Sequence, residues 1–424
     1  MELGLLAVGI ILLLLARVPV AFAIMGPCLA YFMLNGYSTG LALKTVFDSV
    51  NSFPLLAVPL FIFVGVIANK LGIADRLFEF CLAAMARVRG NLAYVNVGTS
   101  VGFAWMSGSA LADAAGLGKV QVPSMTKAGY PFRFAAGLTA SSALISPVMP
   151  PSIPAVIFAA VATISTGALF AASVIPALLM ALGLVIYIAV WVRRNPGFEK
   201  EPFDLNRLGR ATVRVLGPLG APIIILGGIM GGFFTPTEAA GIAGLYMVLL
   251  GLFLKTMSWR VLWEAAKETV FLCGGILIII GAAGMLGQIL ARERVAVSLA
   301  EWITGFTDNP LVFLLLINLL LIVLGMLIDA TAVILVTVPV LLPLAVSYGI
   351  DPVHFGVIMI VNLMIGLLTP PVGSVLYVMS SVTARPVDEI FKGIVPFLTP
   401  MVAVLIIITL FPQVVMFLPN LLGF

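Results

Sequence analysis

Apolar runs long enough to cross a bilayer follow one another through almost the whole sequence, separated by short segments that carry most of the charge. A helix needs about 20 such residues to cross a hydrocarbon core of about 30 Å. Ten runs separate cleanly, at roughly 3–16, 18–35, 53–70, 130–163, 168–192, 215–233, 236–254, 270–290, 353–383 and 393–418. Two further stretches, about 91–126 and 309–346, are too long for one helix, and each is interrupted midway by small and polar residues. The first interruption reads Ser107-Gly108-Ser109-Ala110, with Asp113 just after it; the second runs from Gly325 through Asp329 and Thr331. With 62% apolar and only 9% charged residues, the chain lacks the polar surface a water-facing domain requires. The sequence therefore predicts an all-α polytopic membrane protein.

Several function classes drop out at once. A net charge of +4 is too small to argue for a polyanion partner. Cys28, Cys81 and Cys273 lie apart in apolar runs without metal spacing and read as buried small hydrophobes. His354 is the single histidine, which removes a His-based zinc cluster, and it reads as a structural polar contact. Gly116-Leu-Gly-Lys119 lacks the phosphate-loop spacing, so ATP hydrolysis by this chain is not expected. No nucleophile–base pair is visible either, and the chain is read as a non-enzyme.

A polar break at membrane depth is tolerated only where protein or a water-filled cavity covers it. Two half-length helices meeting at each break would make a re-entrant hairpin that enters and leaves on one side. Ten crossings then remain, five on each side of a central hydrophilic segment, 195–212, which contains Glu199, Lys200, Glu201, Asp204 and Arg207. If that segment is cytoplasmic, both termini are periplasmic. Of the 22 basic residues only Lys44, Arg292 and Arg294 then fall outside, a strong positive-inside bias. The first run has no basic residues before it and no small-residue cleavage site after it, and reads as a retained span. Residues 71–90 and 255–268 are expected as amphipathic arms along the inner interface.

The two halves resemble each other at an offset of about 216 to 220 residues. Pro19 in Arg17-Val-Pro-Val-Ala-Phe-Ala-Ile-Met-Gly26 answers Pro236, Asn91 answers Asn309, and Asp113 answers Asp329. Gly129 answers Gly349, and Pro150-Pro151 answers Pro370-Pro371. An odd number of crossings in each half makes the second upside down relative to the first. The expected organisation is two inverted-topology repeats, 1–194 and 213–424, joined by the linker 195–212. Each would hold a hairpin and a broken helix, at about 130–163 and 353–383. Inverted repeats are an architecture of secondary transporters.

The broken helices carry the chemistry. Their interruptions read Ser141-Ser142-Ala-Leu-Ile-Ser146-Pro147-Val-Met-Pro150-Pro151-Ser152 and Asn362-Leu-Met-Ile-Gly366-Leu-Leu-Thr369-Pro370-Pro371-Val-Gly373-Ser374. Proline removes a backbone donor and frees carbonyls. Carbonyls with Ser and Thr hydroxyls suit a small hard cation, while half-helix N-termini suit an anion. A carboxylate as deep as Asp113 or Asp329 is a functional hypothesis by default, with helix capping as the plain alternative. Glu238, beside Pro236, fits a helix N-terminal role better than a substrate role.

Five motifs together carry a family resemblance that spans nearly the whole chain. They are Ser107-Gly-Ser-Ala-Leu-Ala-Asp113, Pro150-Pro-Ser-Ile153, Gly232-Phe-Phe-Thr-Pro-Thr-Glu-Ala239, Gly325-Met-Leu-Ile-Asp329 and Thr369-Pro-Pro-Val-Gly373. The chain resembles the large membrane subunit, DctM-like, of tripartite ATP-independent periplasmic (TRAP) transporters. The resemblance implies Na⁺-driven uptake of an organic acid across the bacterial inner membrane, with two or more Na⁺ as coupling ions. It implies a periplasmic binding protein as a partner, a small four-helix membrane subunit as another, and an elevator mechanism. One Na⁺ site would use Ser107, Gly108, Ser109, Ser146 and Met149, with Asp113 as a supporting acid. A second would use Gly325, Asp329, Gly366 and Thr369. Substrate would lie near Ser109, Ser152, Thr331 and Gly373, beside the breaks at Pro150, Pro151, Pro370 and Pro371. Ser146 departs from the glycine expected before Pro147 in many relatives.

Other readings stay open on the sequence. One is an inverted-repeat anion or ion carrier that needs no binding protein, coupled to H⁺ through Asp113 or Asp329. Another is a channel or passive scaffold subunit, which leaves the paired breaks unexplained.

Overall fold

The computed structural model describes the chain apart from residues 1, 17, 199, 201, 296, 297 and 299–306, and apart from the side chains of residues 2 and 15. Arg17, Glu199 and Glu201, used in the sequence reading, lie outside the described residues. The described residues are helical throughout, with no strand among them.

Three helices open the chain: α1 (Glu2–Leu15), α2 (Val20–Leu34) and α3 (Thr39–Val50). With the far end of α13 (Trp259–Arg292) they bury their own cluster of Leu6, Ile24, Cys28, Phe32, Met285 and Ile289. The sequence reading left 36–52 as a connection. α3 forms there because the Ser38 hydroxyl caps it, accepting from the Gly40 N–H at 3.1 Å. A short 3-10 turn (Phe53–Leu56) leads into α4 (Ala57–Lys70), and α5 (Ile73–Ala84) follows.

The first long stretch becomes α6 (Asn91–Ser107) and α7 (Ala110–Lys127); the second becomes α14 (Pro310–Leu327) and α15 (Ala330–Ser347). The helices break where the polar residues predicted a break, at Gly108–Ser109 and Ile328–Asp329. The arms, however, are not half-length. At 17 or 18 residues and 1.5 Å per residue, each arm runs about 25 Å. α14 and α15 are among the eight helices of the described residues long and apolar enough to cross a membrane. A break at the centre of a stretch near 36 residues leaves two arms of this length, so length does not separate re-entry from crossing.

Each broken span appears as two helices flanking a non-helical segment: α8 (Phe132–Ala143) with α9 (Ile153–Ala162), and α16 (Pro352–Gly366) with α17 (Ser374–Thr383). The prolines explain the gap, since they cannot donate to the ladder. The peptide bonds Pro150–Pro151 and Pro370–Pro371 are both cis. The rest of the body is α10 (Thr166–Arg194), α11 (Leu205–Met230), α12 (Pro236–Phe253), α18 (Val387–Leu410) and α19 (Pro412–Leu422). Three boundaries differ from expectation. Residues 259–268 are no separate arm but the first turns of α13, started by the Ser258 cap. Residues 205–212, read as linker, are the first turns of α11 under an Asp204 cap. The last run divides at Phe411, ahead of Pro412.

Charged segments far apart in the sequence meet one another. Lys70 reaches Glu268 at 3.2 Å, Arg207 reaches Glu79 at 3.5 Å, and the Arg87 guanidinium lies 4.9 Å from the Phe203 ring. At the other end Arg292 lies 4.5 Å from the Tyr37 ring. Each pair joins residues assigned to one side. Glu238 does what its position suggested: it closes a capping box on α12, accepting from the Thr235 N–H at 2.8 Å. His354 is buried, with Nε2 2.8 Å from the Ile408 carbonyl oxygen, the structural contact expected of it. The three cysteines are buried and free.

Candidate functional site: two hairpin tips against two broken helices

At the first tip, Ser107 ends α6, Gly108 turns the chain with φ at 61°, and Ser109 caps α7 by accepting from the Ala112 N–H at 3.4 Å. The tip lies directly on the first break. A Cβ placed on Gly108 would stand 2.6 Å from the Pro151 carbonyl oxygen, so only glycine fits this approach. α4 closes from the other side, where a Cβ on Gly65 would meet the Ser107 backbone at 3.2 Å.

Asp113 lies in the first turn of α7, four residues beyond the cap, and is wholly buried. Among the described residues neither carboxylate oxygen has a hydrogen-bond partner within bonding geometry, although the hydroxyls of Ser107 and Ser146 lie beside it. The Ser146 hydroxyl is likewise buried and unpartnered. The carbonyls of Ser146, Val148 and Met149 accept no hydrogen bond from the described residues. Ser107, Gly108, Ser109, Ser146 and Met149 are thus brought into one neighbourhood, with Asp113 inside it. Ser152 has another occupation. It is fully buried, its hydroxyl donates to the Pro147 carbonyl, and it caps α9 by accepting from the Ala155 N–H at 3.1 Å.

The second tip meets its break through glycines as well. A Cβ on Gly366 would stand 2.6 Å from the Gly325 carbonyl carbon and 3.0 Å from its oxygen. The Met326 carbonyl accepts from the N–H groups of Val372 at 3.1 Å and Gly373 at 3.3 Å, lacing tip to break. The carbonyls of Gly325 and Thr369 accept no hydrogen bond among the described residues. The Thr369 oxygen would lie 2.9 Å from a Cβ on Gly373, whose φ is 50°. Gly325, Gly366 and Thr369 are therefore gathered with Gly373.

Asp329 does not match Asp113. It caps α15, accepting from the Thr331 N–H at 2.9 Å, and is exposed. Its structural counterpart in the first hairpin is the cap Ser109, which corrects the sequence pairing of the two aspartates. Thr331 sits two residues beyond that cap, half-buried. The breaks differ too: Pro150, Pro151 and Ser152 are buried, whereas Pro370, Pro371 and Val372 are exposed. α17 starts at Gly373 with no side-chain cap.

Sequence reasoning missed a buried polar layer behind each tip. The Asn96 amide donates to Thr139 Oγ1 at 2.7 Å and accepts from the Ser142 hydroxyl at 2.8 Å. In the second half Asn362 donates to the Asn318 side chain at 2.8 Å and to its carbonyl at 2.9 Å. The signal was available for Asn318, a polar residue within an otherwise apolar arm, and weaker for Asn96, whose arm also carries Thr99 and Ser100.

Free carbonyls, buried hydroxyls and a buried carboxylate, gathered where two helix turns close on broken helices, form a polar centre inside a helical body with eight candidate membrane spans among the described residues. Residues 7–414 match the family model described as the DctM component of the tripartite ATP-independent periplasmic transporter. The chain is 42% identical over 417 residues to the sialic acid TRAP transporter large permease protein SiaM of Vibrio cholerae, covering 96% of each. It is 38% identical over 390 residues to the C4-dicarboxylate TRAP transporter large permease protein DctM of Pseudomonas aeruginosa, covering 90% of each. The chain belongs to the DctM family. In fold it is similar to the Alcanivorax borkumensis YdaH transporter, with a TM-score of 0.66 at 15% identity over 88% of both chains.

Proposed function

We propose that this chain couples inward Na⁺ movement to uptake of an organic acid across a bacterial inner membrane. The acid is delivered by a periplasmic binding protein, and a small four-helix membrane subunit completes the complex. The observation that carries the reading is Asp113, a buried carboxylate with both oxygens unpartnered beside the hydroxyls of Ser107 and Ser146. Burying an ionised carboxylate alone is penalised by several kcal/mol, and a bound cation offsets that penalty. The unused carbonyls around Ser146 and Met149, and those of Gly325 and Thr369, are hard oxygen ligands of the kind Na⁺ takes.

The named relatives handle sialic acid and C4-dicarboxylates, so the cargo is read as a carboxylate. None of the tip and break residues named above is basic. The acid would therefore be held by N–H groups and hydroxyls; at the start of α17 the N–H groups of Val372, Gly373 and Val375 are engaged, so the Ser374 N–H and hydroxyl, beside exposed Pro370–Val372, are the groups left for it. Ser109, Thr331 and Gly373 border that region in this reading. Ser152 supports the break from beneath. The two hairpins and two broken helices would move as one body, in two inverted repeats, against the remaining helices.

Proteoliposomes holding this chain and its small subunit, with loaded binding protein outside, test the reading. Accumulation should require an inward Na⁺ gradient, and Asp113→Asn should lower it at limiting Na⁺. A proton would also neutralise Asp113. Accumulation driven by a pH gradient without Na⁺ would replace Na⁺ by H⁺ and refute the proposal as stated.

A further inference from the structure

Behind the second tip, three helices meet through amides and a hydroxyl in an otherwise apolar layer. Asn362 of α16 is wholly buried and gives its Nδ2 group to two acceptors on one residue of α14, the side-chain oxygen of Asn318 at 2.8 Å and its carbonyl at 2.9 Å. Asn318 passes the chain on, donating to Thr409 Oγ1 of α18 at 3.0 Å, and Thr409 donates to the Leu405 carbonyl at 2.7 Å. Asn362 lies one helical turn before Gly366, and Asn318 lies two turns before Gly325. The two asparagines therefore brace the same pair of helix ends whose backbones touch at Gly325 and Gly366.

We propose that Asn318 and Asn362 are positioning residues for the second cation site. They form a clasp that fixes the register of α14 against α16, so that the free carbonyls of Gly325 and Thr369 converge. The proposal rests on the Na⁺ reading above. Without the clasp α14 and α16 meet through apolar packing, which is non-directional and does not specify register, and only the Met326 carbonyl's bonds to Val372 and Gly373, beyond the end of α16, still lace tip to break. The first half repeats the arrangement at the equivalent point. Ser142 of α8, one turn before Ser146, donates to Asn96 of α6 at 2.8 Å and accepts from Ser100 at 2.9 Å. A hydrogen-bonded pair thus stands one turn behind each candidate site, while the Asn318–Thr409 bond only ties the clasp to α18.

The test is a thermal-stability titration of the purified complex with NaCl against KCl at constant ionic strength, followed by uptake at varied Na⁺. Na⁺ that binds only the folded state raises the midpoint with a half-saturation that reads its affinity. Asn318→Leu and Asn362→Leu are each expected to shift that half-saturation upward by about fivefold or more. Maximal uptake at saturating Na⁺ should stay near the wild-type value. Thr409→Val should lower the midpoint in KCl and leave the Na⁺ half-saturation unchanged, which a merely stabilising role for the clasp does not predict. If Asn318→Leu fails to fold, Asn362→Ser reads the same shift. Wild-type dependence on Na⁺ with unchanged half-saturation in the asparagine variants overturns the clasp alone. A wild type indifferent to Na⁺ overturns the Na⁺ reading and the clasp together.

Discussion

Replacing Gly366 with alanine, set beside the same change at Gly325, tests whether the second site is built by backbone approach. The two glycines face each other, yet the space beside them differs. A Cβ on Gly366 would meet the Gly325 carbonyl carbon at 2.6 Å, its Cα at 2.7 Å and its oxygen at 3.0 Å, all of them backbone atoms with no rotamer to escape to. A Cβ on Gly325 would meet the Gly366 Cα and the Leu363 oxygen at 3.3 Å, which a shift of a few tenths of an ångström relieves. Overpacking of the first kind costs about 1–3 kcal/mol, or roughly 5- to 150-fold in the folding equilibrium. The helix-propensity gain from glycine to alanine, at most about 1 kcal/mol in a helix interior, is smaller still at the last residue of α16. At Gly325, inside α14, that gain and the mild crowding nearly cancel. Gly366→Ala should therefore lower the thermal midpoint clearly and abolish Na⁺-dependent uptake, while Gly325→Ala stays near wild type in midpoint. Equal midpoints for wild type and Gly366→Ala, with normal uptake, would refute the close approach. So would a larger loss from Gly325→Ala than from Gly366→Ala.

Two capping positions give cleaner controls. Asp329→Asn keeps a good helix cap on α15, whereas Asp329→Ala loses about 1 kcal/mol. Only the alanine variant should melt earlier, and a fall in uptake in Asp329→Asn at unchanged midpoint isolates the carboxylate charge beside the second tip. Thr235→Ala opens the reciprocal cap with Glu238 and should cost a similar amount, about 1 kcal/mol. Its uptake should keep the wild-type Na⁺ half-saturation, since α12 contributes nothing to either tip; a shifted half-saturation in the titration contradicts that.

What the sequence made legible were features of long apolar runs and of proline. The hairpin turns at Ser107–Ser109 and Ile328–Asp329 stand out because polar residues interrupt stretches that would otherwise continue as helix, and both broken helices follow from paired prolines. Boundaries set by single caps were harder to read. Ser258 and Asp204 start α13 and α11 well outside the apolar runs that follow, because a cap and local propensity carry a helix beyond the membrane-facing portion. The candidate site was legible as a set of residues but not as roles. Capping was an open alternative for Asp329 on the sequence, whereas Ser152 looks like a ligand in a list of polar residues yet caps α9, a distinction that depends on φ and ψ. The asparagine clasp was passed over because the halves were compared for identical residues, and Asn362 answers a serine, Ser142, in the first half.

The unlike surroundings of the two aspartates bear on how the halves divide the work. In the first half a carboxylate is sealed between Ser107 and Ser146, the break is buried, and α7 and α9 are both capped. In the second half the ligands on offer are neutral carbonyls, the break at Pro370–Val372 is exposed, and α17 begins uncapped. On the Na⁺ reading, an ion beside Asp113 neutralises a charge the fold has already buried, so it belongs to the stability of the body itself. An ion among the Gly325 and Thr369 carbonyls would meet no buried charge, only the exposed Asp329 cap at the same tip, and would lie beside the open break, where an anionic substrate would add a further negative partner. Cation and substrate at the second break then favour each other electrostatically, and by linkage each raises the affinity for the other by the same factor. On that reading coupling of ion to acid would fall to the second half, and an ion beside the buried carboxylate of the first half would hold the structure against which that half works.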